Sequence, residues 1–330
     1  MSSSTQERIV VVGAGSIGGF VASELARAGR DVVLCVRSPF ERLIVIDEHG
    51  QRHESVLPVL TDPAQVPPAD WVILATKAHQ TDAAAPWLRG ACGPSTRGVV
   101  VMQNGVEQEE RVQPHVGTVP VVPCIVRCGA EAIAPGHIVH HGFANFEVPA
   151  GPEADALAPV FAGTALQLVA VDDFTTVAWK KLINNVTASP LTALTRRRLE
   201  ILRDDAIAEL AVELAAECLA VGAAAGAQVD ATMARPMVEG MRTVNPRMGS
   251  SMLYDQLAAR PTEYEALTGA VVRFGRRYDI PTPMNDAIYA LLAVASSAWA
   301  GAADEGHSQG PSGPSRAGSQ GPSGPSIAGR

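Results

Sequence analysis

Basic residues and aromatics are both scarce in this chain of 330 residues. Lys and Arg total 26 against 34 Asp and Glu, and aromatics make up 5%. The resulting formal net charge of -8 leaves no basic footprint, which excludes nucleic acid as an expected partner. Cysteines are few and odd in number, the five being Cys35, Cys92, Cys124, Cys128 and Cys218. Such usage suits a reducing cytosol better than a disulfide framework. Cys124 and Cys128 lack a second ligand pair, and His137, His140 and His141 lack acids or thiols at metal spacing, so no metal site is expected. The start, MSSSTQER, has no apolar signal core, so a cytoplasmic location is expected. Long uncharged runs are missing as well. Segment 206–225 carries Glu209, Glu213 and Glu217 at i, i+4 and i+8, and segment 287–303 is short and rich in small residues, so both read as helices of a soluble protein and no membrane partner is expected. The remaining composition, 47% hydrophobic and 18% charged, is that of a globular protein with room for two domains.

The chain is organised around its first strand. Ile9 to Val12 is an apolar run short enough for a buried strand, and it runs into Gly13-Ala14-Gly15-Ser16-Ile17-Gly18, a G-x-G-x-x-G. The first glycine permits a tight turn, the second lets backbone approach a pyrophosphate, and the third lets helix pack on strand. Residues 17–28 are apolar at helical spacing, so free N–H groups at the helix start would face phosphate. Asp31 to Val36 reads as the next strand and completes a βαβ unit. Further strands follow at Trp71–Thr76 and Gly98–Met102, with a helix after Gln80, a hairpin around Glu48-His49-Gly50, and strands over 119–148 turning at Pro135-Gly136. Alternating strands and helices imply a parallel sheet covered on both faces, with ligands at the carboxyl ends of its strands. Lys77 and Asn104 fall at such ends, although Asn104-Gly105 is also a favoured turn dipeptide.

An acid that would hold a ribose 2′-hydroxyl is missing at the end of the second strand. Cys35-Val36-Arg37-Ser38 stands there instead. A guanidinium fork matches a 2′-phosphate, so the expected cofactor is NADP(H), held by Gly13 to Gly18 and Arg37.

Near Asp172 the period becomes helical and stays so to about Ala303. The expected organisation is an α/β fold: an NADP-binding Rossmann-type doubly wound sheet over 1–171, then an all-α substrate domain over 172–303. Residues 304–330 contain a repeated SQGPSGPS and should form a disordered Gly/Pro/Ser-rich tail. In the helix over 173–195, Lys181, Asn185 and Ser189 are spaced i, i+4 and i+8 and share one face. An ammonium with two polar neighbours suits reduction of a 2-oxo acid, because charge grows on the carbonyl oxygen as hydride adds to its carbon. A solvated lysine on an amphipathic helix is the plainer alternative.

The order and spacing of several blocks resemble the ketopantoate reductase (2-dehydropantoate 2-reductase) family over residues 8–290. They are the glycine loop, Arg37, Ala75-Thr76-Lys77, Gln103-Asn104-Gly105, Trp179-Lys180-Lys181-Leu182, Ser189 to Ala193, Ser250 to Asp255, and Pro261-Thr262-Glu263. The resemblance implies NADPH-dependent reduction of ketopantoate to pantoate in pantothenate biosynthesis, in a cleft between the two domains. It makes Lys181 the proton donor and places Asn185 and Ser251 on the substrate's hydroxyl and carboxylate. It also puts Lys77 and Asn104 near the nicotinamide ribose, and Glu263 against both cofactor and Lys181. On residues alone, Thr262-x-x-Glu265 after Pro261 reads as a capping box, with Glu263 a helix-start acid favoured by the dipole. Two departures fall on the substrate side: Ser189 replaces the family's second asparagine, and Arg198-Leu199-Glu200 replaces an expected Asn-Gly. A paralogue acting on another 2-oxo acid, a β-hydroxyacid dehydrogenase and a non-catalytic NADP(H)-sensing protein therefore stay open, as does a homodimer through the helical domain.

Overall fold

The computed structural model describes residues 7–308. Among the described residues there are eleven strands: β1 (Arg8–Val12), β2 (Asp31–Cys35), β3 (Leu43–Ile46), β4 (Arg52–Ser55), β5 (Val59–Leu60), β6 (Trp71–Leu74), β7 (Gly98–Val101), β8 (Val121–Pro123), β9 (Ile125–Ala134), β10 (His137–Pro149) and β11 (Gln167–Val171). Six of them form a parallel sheet in the order β5-β2-β1-β6-β7-β8. The chain leaves β1 towards β2 on one side and resumes at β6 on the other, so a crevice opens at the carboxyl end of β1, where such sheets bind ligands. β1, β6 and β7 read as unbroken apolar runs because both faces of the sheet are covered. Helices α2 (Thr81–Ala91) and α3 (Gln108–Val116) lie on one face, and α1 (Ser16–Arg27) lies on the other.

A second sheet was not foreseen. The expected hairpin of β3 and β4 joins β10, which runs parallel to β3 with its first half and to β11 with its second, while β9 pairs antiparallel along its other edge. Phe20 and Val21 of α1 pack with Phe146 and Val148 of β10, so α1 is sandwiched between the two sheets. Helix α4 (Pro152–Phe161) closes this core.

The rest of the described chain is helical: α5 (Phe174–Thr195), α6 (Asp205–Ala224), α7 (Ala234–Thr243), α8 (Ser251–Leu257), α9 (Thr268–Arg277) and α10 (Pro283–Ser308). Trp179, Leu182, Ile183 and Val186 of α5 form its core with Leu214, Cys218 and Leu219 of α6. Gly222 on α6 allows a close approach, since a Cβ there would lie 3.0 Å from the Trp179 ring. No helix among the described residues is long and apolar enough to cross a membrane.

Two expectations need correction. Helix α10 runs on to Ser308, past the expected end at 303, because no proline interrupts it; the repeated part of the tail, 309–330, lies outside the described residues. The helix expected directly after Pro261 begins only at Thr268. Thr262 is buried, and both its amide and its hydroxyl turn to Ser296 Oγ, at 3.3 and 3.2 Å, so neither closes a capping box with Glu265. Glu265 instead meets Arg273 and Tyr289.

Candidate active site

The glycine loop has the form a pyrophosphate needs. Gly13 adopts φ +99°, and a Cβ there would lie 3.0 Å from Thr76, which binds the loop closely to the end of β6. A Cβ on Gly18 would lie 2.0 Å from the Gly13 carbonyl, so the first turn of α1 can pack on the loop only with glycine. Gly15, in contrast, has nothing within 4 Å of its Cβ position, and it caps α1 with no side-chain hydrogen bond. Ser16 and Ile17 open the helix, so its first amides are left for an anion. Arg37, just past β2, is exposed and makes no ion pair among the described residues. It lies close enough to His79 to help hold that imidazole's pKa down, after burial, while Glu263 and Asp255 act in the opposite direction. The ends of β2 and β6 thus border one cleft, and these residues fit a dinucleotide with its ribose phosphate.

Deeper in, a charge cluster joins the sheet to the helical part. The Glu263 carboxylate accepts from the Ala78 amide at 2.9 Å through Oε1, and from Asn104 Nδ2 at 2.9 Å and Lys77 Nζ at 3.5 Å through Oε2. Lys77 Nζ also donates to Asp255 Oδ2 at 2.7 Å, and Arg260 Nε donates to Asp255 Oδ1 at 3.0 Å. Burial pulls Glu263 upwards, but Lys77, the Ala78 amide and Asn104 outweigh it and hold the carboxyl below its usual range. Burial likewise pulls Lys77 down, and Glu263 and Asp255 outweigh that, so its pKa lies above the ordinary value. Asn104 therefore does more than make a turn with Gly105. The expected contact of Glu263 with Lys181 is absent: without a helix at 262–267, the carboxylate points at the ends of β6 and β7 and is spent on Lys77, Asn104 and Ala78.

Lys181 and Asn185 are half-buried on α5, and Ser189 is 4% exposed. Burial lowers the Lys181 pKa, the positive charge of Arg127 on β9 lowers it further, and Glu147 on β10 opposes both. A lysine so placed gives up its proton more readily than one in water, as a general acid working near neutral pH should. Ser250 caps α8 by accepting from the Leu253 amide at 3.0 Å and meets Thr192 Oγ1 at 2.7 Å, which ties α8 to α5 and leaves Ser251 exposed at the helix start.

Three contributors escaped sequence reasoning. Asp255 is the second buried acid on Lys77. Buried Gln103 ties β7 to the end of β6, its Nε2 donating to Thr76 Oγ1 at 3.1 Å and to the Lys77 carbonyl at 3.3 Å. The charge of Arg127 acts on Lys181 from a strand with no motif. The Gln103-Asn104-Gly105 block was a signal for Gln103 and the Ser250 to Asp255 block one for Asp255; nothing local marked Arg127.

The family models for ketopantoate reductase PanE/ApbA and for its C-terminal part match residues 9–153 and 173–296. A 2-dehydropantoate 2-reductase of Mycobacterium tuberculosis is 40% identical over 289 residues, covering 87% of this chain and 97% of its own. A dimeric ketopantoate reductase from Staphylococcus aureus superposes with TM-score 0.80 at 22% identity, covering 88% of this chain and 99% of that one. A ternary structure of D-mandelate dehydrogenase with NADH and anilino(oxo)acetate has the same fold, with TM-score 0.80, 22% identity and coverage of 88% and 99%.

Proposed function

This chain belongs to the ketopantoate reductase family, and we propose that it reduces ketopantoate to pantoate with NADPH, a step of pantothenate biosynthesis. It is an oxidoreductase using a pyridine nucleotide. The observation that supports the chemistry best is Lys181, a half-buried ammonium of lowered pKa on the α5 face shared with Asn185. A nicotinamide bound there would supply the hydride that the carbonyl carbon takes. Lys181 holds the proton that the carbonyl oxygen takes, and Asn185, Ser189 and Ser251 hold the substrate's polar groups. Gly13 to Gly18 would cradle the pyrophosphate, and Lys77, Asn104 and Glu263 would flank the nicotinamide ribose.

The acid form of Lys181 is lost as pH rises through its pKa, which lies below the ordinary lysine value of 10.5. Reduction should therefore decline on the alkaline side at a pH lower than an unperturbed lysine would give. NADPH oxidation measured with a panel of 2-oxo and 3-oxo acids tests the reading. Turnover confined to 3-oxo acids would make the chain a β-hydroxyacid dehydrogenase, and none at all would make it a nucleotide sensor. Ser189, short and nearly buried, favours a second reading, a wider range of 2-oxo acids. The ratio of kcat/KM for ketopantoate to that for 2-oxoisovalerate reports it.

Arg37 supports NADPH over NADH. Removing its charge-assisted bonds to the 2′-phosphate costs about 1.5–3 kcal/mol. In Arg37→Ala, NADPH should bind roughly ten- to a hundredfold more weakly, with NADH nearly unchanged, in a fluorescence titration. Equal losses for both nucleotides would remove the phosphate contact. Assembly fits the same reading. Met284, Leu291 and Val294 are exposed along α10 at i, i+7 and i+10, an apolar stripe on which two copies would meet. Light scattering checks this by the mass in solution.

A further inference from the structure

Side chains of the antiparallel pair β9–β10 alternate between its two faces. Val126 and Cys128 of β9, with Ala144, Phe146 and Val148 of β10, pack into the core around α1. By the same period Arg127 and Glu147 lie on the opposite face, where Arg127 Nε donates to Glu147 Oε2 at 2.8 Å. Helix α5 packs against both strands, and Lys181 is the α5 residue whose ammonium feels these two charges. The pair is only partly exposed, 34% at Arg127 and 20% at Glu147. A guanidinium carries five N–H donors in a rigid fork. One is occupied by Glu147, and among the described residues the terminal nitrogens have no partner.

Resting on the reading of Lys181 as proton donor to a 2-oxo acid, we infer that Arg127 anchors the substrate's carboxylate through the free edge of its guanidinium. Glu147 fixes the orientation of that guanidinium, and the pair sets the preference for 2-oxo acids over neutral carbonyl compounds. The carboxylate of a 2-oxo acid is bonded directly to the carbon being reduced, so a group beside the proton donor is in place to meet it. With Nε held by Glu147, the two terminal nitrogens present the parallel N–H pair that binds a carboxylate bidentately.

The arrangement also solves an electrostatic problem. A carboxylate resting on Lys181 alone would favour the ammonium form and oppose release of its proton. A guanidinium stays charged at any working pH, so it can hold the anion without entering the proton transfer. Its positive charge beside Lys181 acts in the same direction as burial, and Glu147 limits the effect. The neutral hydroxyl of Ser251 can bond the carboxylate but cannot balance its charge.

The test compares wild type, Arg127→Gln and Arg127→Lys as full-length enzymes, on ketopantoate and on its neutral amide. In Arg127→Gln, KM for the acid should rise about ten- to a hundredfold, the loss expected for a charged hydrogen-bonded pair. The amide should change by less than about threefold under the same reasoning, so the preference for acid over amide collapses. The alkaline limb of kcat/KM should move to higher pH as Lys181 loses its positive neighbour, and Arg127→Lys should recover part of both effects. NADPH binding at the wild-type level shows that the variants are folded. An unchanged ratio of acid to amide with an unmoved alkaline limb overturns the inference. So do equal losses on both substrates, which would make Arg127 a support of the sheet only. Wild-type enzyme inert towards every 2-oxo acid overturns the functional reading instead, and the inference falls with it.

Discussion

Replacement of Lys181 by alanine is expected to lower kcat about 10²–10⁴-fold, the factor a positioned general acid contributes. NADPH affinity should stay near the wild-type value. Hydride addition puts negative charge on the carbonyl oxygen, and without a proton at hand that charge must be met by water or neighbouring dipoles. Lys181 is suited to supply it because burial, and then Arg127, has lowered its pKa against the pull of Glu147. Its loss should not unfold the chain. Lys181 makes no ion pair among the described residues, and the Arg127–Glu147 pair at 2.8 Å survives its removal. A fall in kcat with an unchanged melting curve and an unchanged NADPH titration therefore reads the chemistry alone. Turnover within a few-fold of wild type would place the proton donor elsewhere and leave Lys181 as a lysine on the face of a helix.

The parts of this site that were legible beforehand are those written in local spacing. Gly13 and Gly18 each have a separate steric duty, and the duties follow from the order strand, turn, helix. Lys181, Asn185 and Ser189 share a face because an α-helix repeats every 3.6 residues. Arg37 was read from a missing acid at a fixed place after β2. What stayed hidden depends on contacts between segments far apart in the chain. Lys77 and Asp255 are 178 residues apart, and Lys77 and Glu263 are 186 apart. The resemblance set Glu263 against Lys181, and Thr262 looked like the cap of a helix that would begin there. Its hydroxyl was already committed to Ser296 across the core, so the helix starts later and the carboxylate faces the sheet. The second sheet was hidden for the same reason. β10 recruits β3 from about a hundred residues upstream, a pairing that alternation along one strand cannot announce. Arg127 and Glu147 followed that sheet out of view.

The Lys77–Asp255–Glu263 joint carries the second large expectation, and here the effect is on stability. Methionine in place of Lys77 keeps most of the side-chain stem but removes the ammonium, leaving two carboxylates that are 4% and 5% exposed. Breaking a buried pair by removing one partner costs about 3–5 kcal/mol, since the remaining charge is left uncompensated. Lys77 keeps 37% of its side chain exposed, so solvent screening moves the expectation to the low end, about 3 kcal/mol. Arg260 still holds Asp255, and Asn104 and the Ala78 amide still hold Glu263, which also argues against a larger figure. In a melt, Lys77→Met should lose roughly 5–10 °C at neutral pH.

The pH dependence identifies the cause. In the wild type, Glu263 titrates below its usual range, so its contribution is present above the unfolded carboxyl value and lost as acid is added. Lys77 titrates above 10.5, so its contribution is present below that value and lost in strong base. In Lys77→Met the strongest influence opposing burial is gone, so the Glu263 pKa is expected to rise and the sign of its contribution to reverse. The folded variant binds the extra proton, so its deficit should shrink as pH falls from about 7 to about 5. An exposed pair provides the contrast. Arg235 and Glu209 are 57% and 58% exposed, and Arg235→Met should leave the melting curve almost unmoved. If Lys77→Met matched that small loss, or if its deficit did not shrink towards pH 5, water would be reaching the two acids. The joint would then bind cofactor without holding the sheet to the helices.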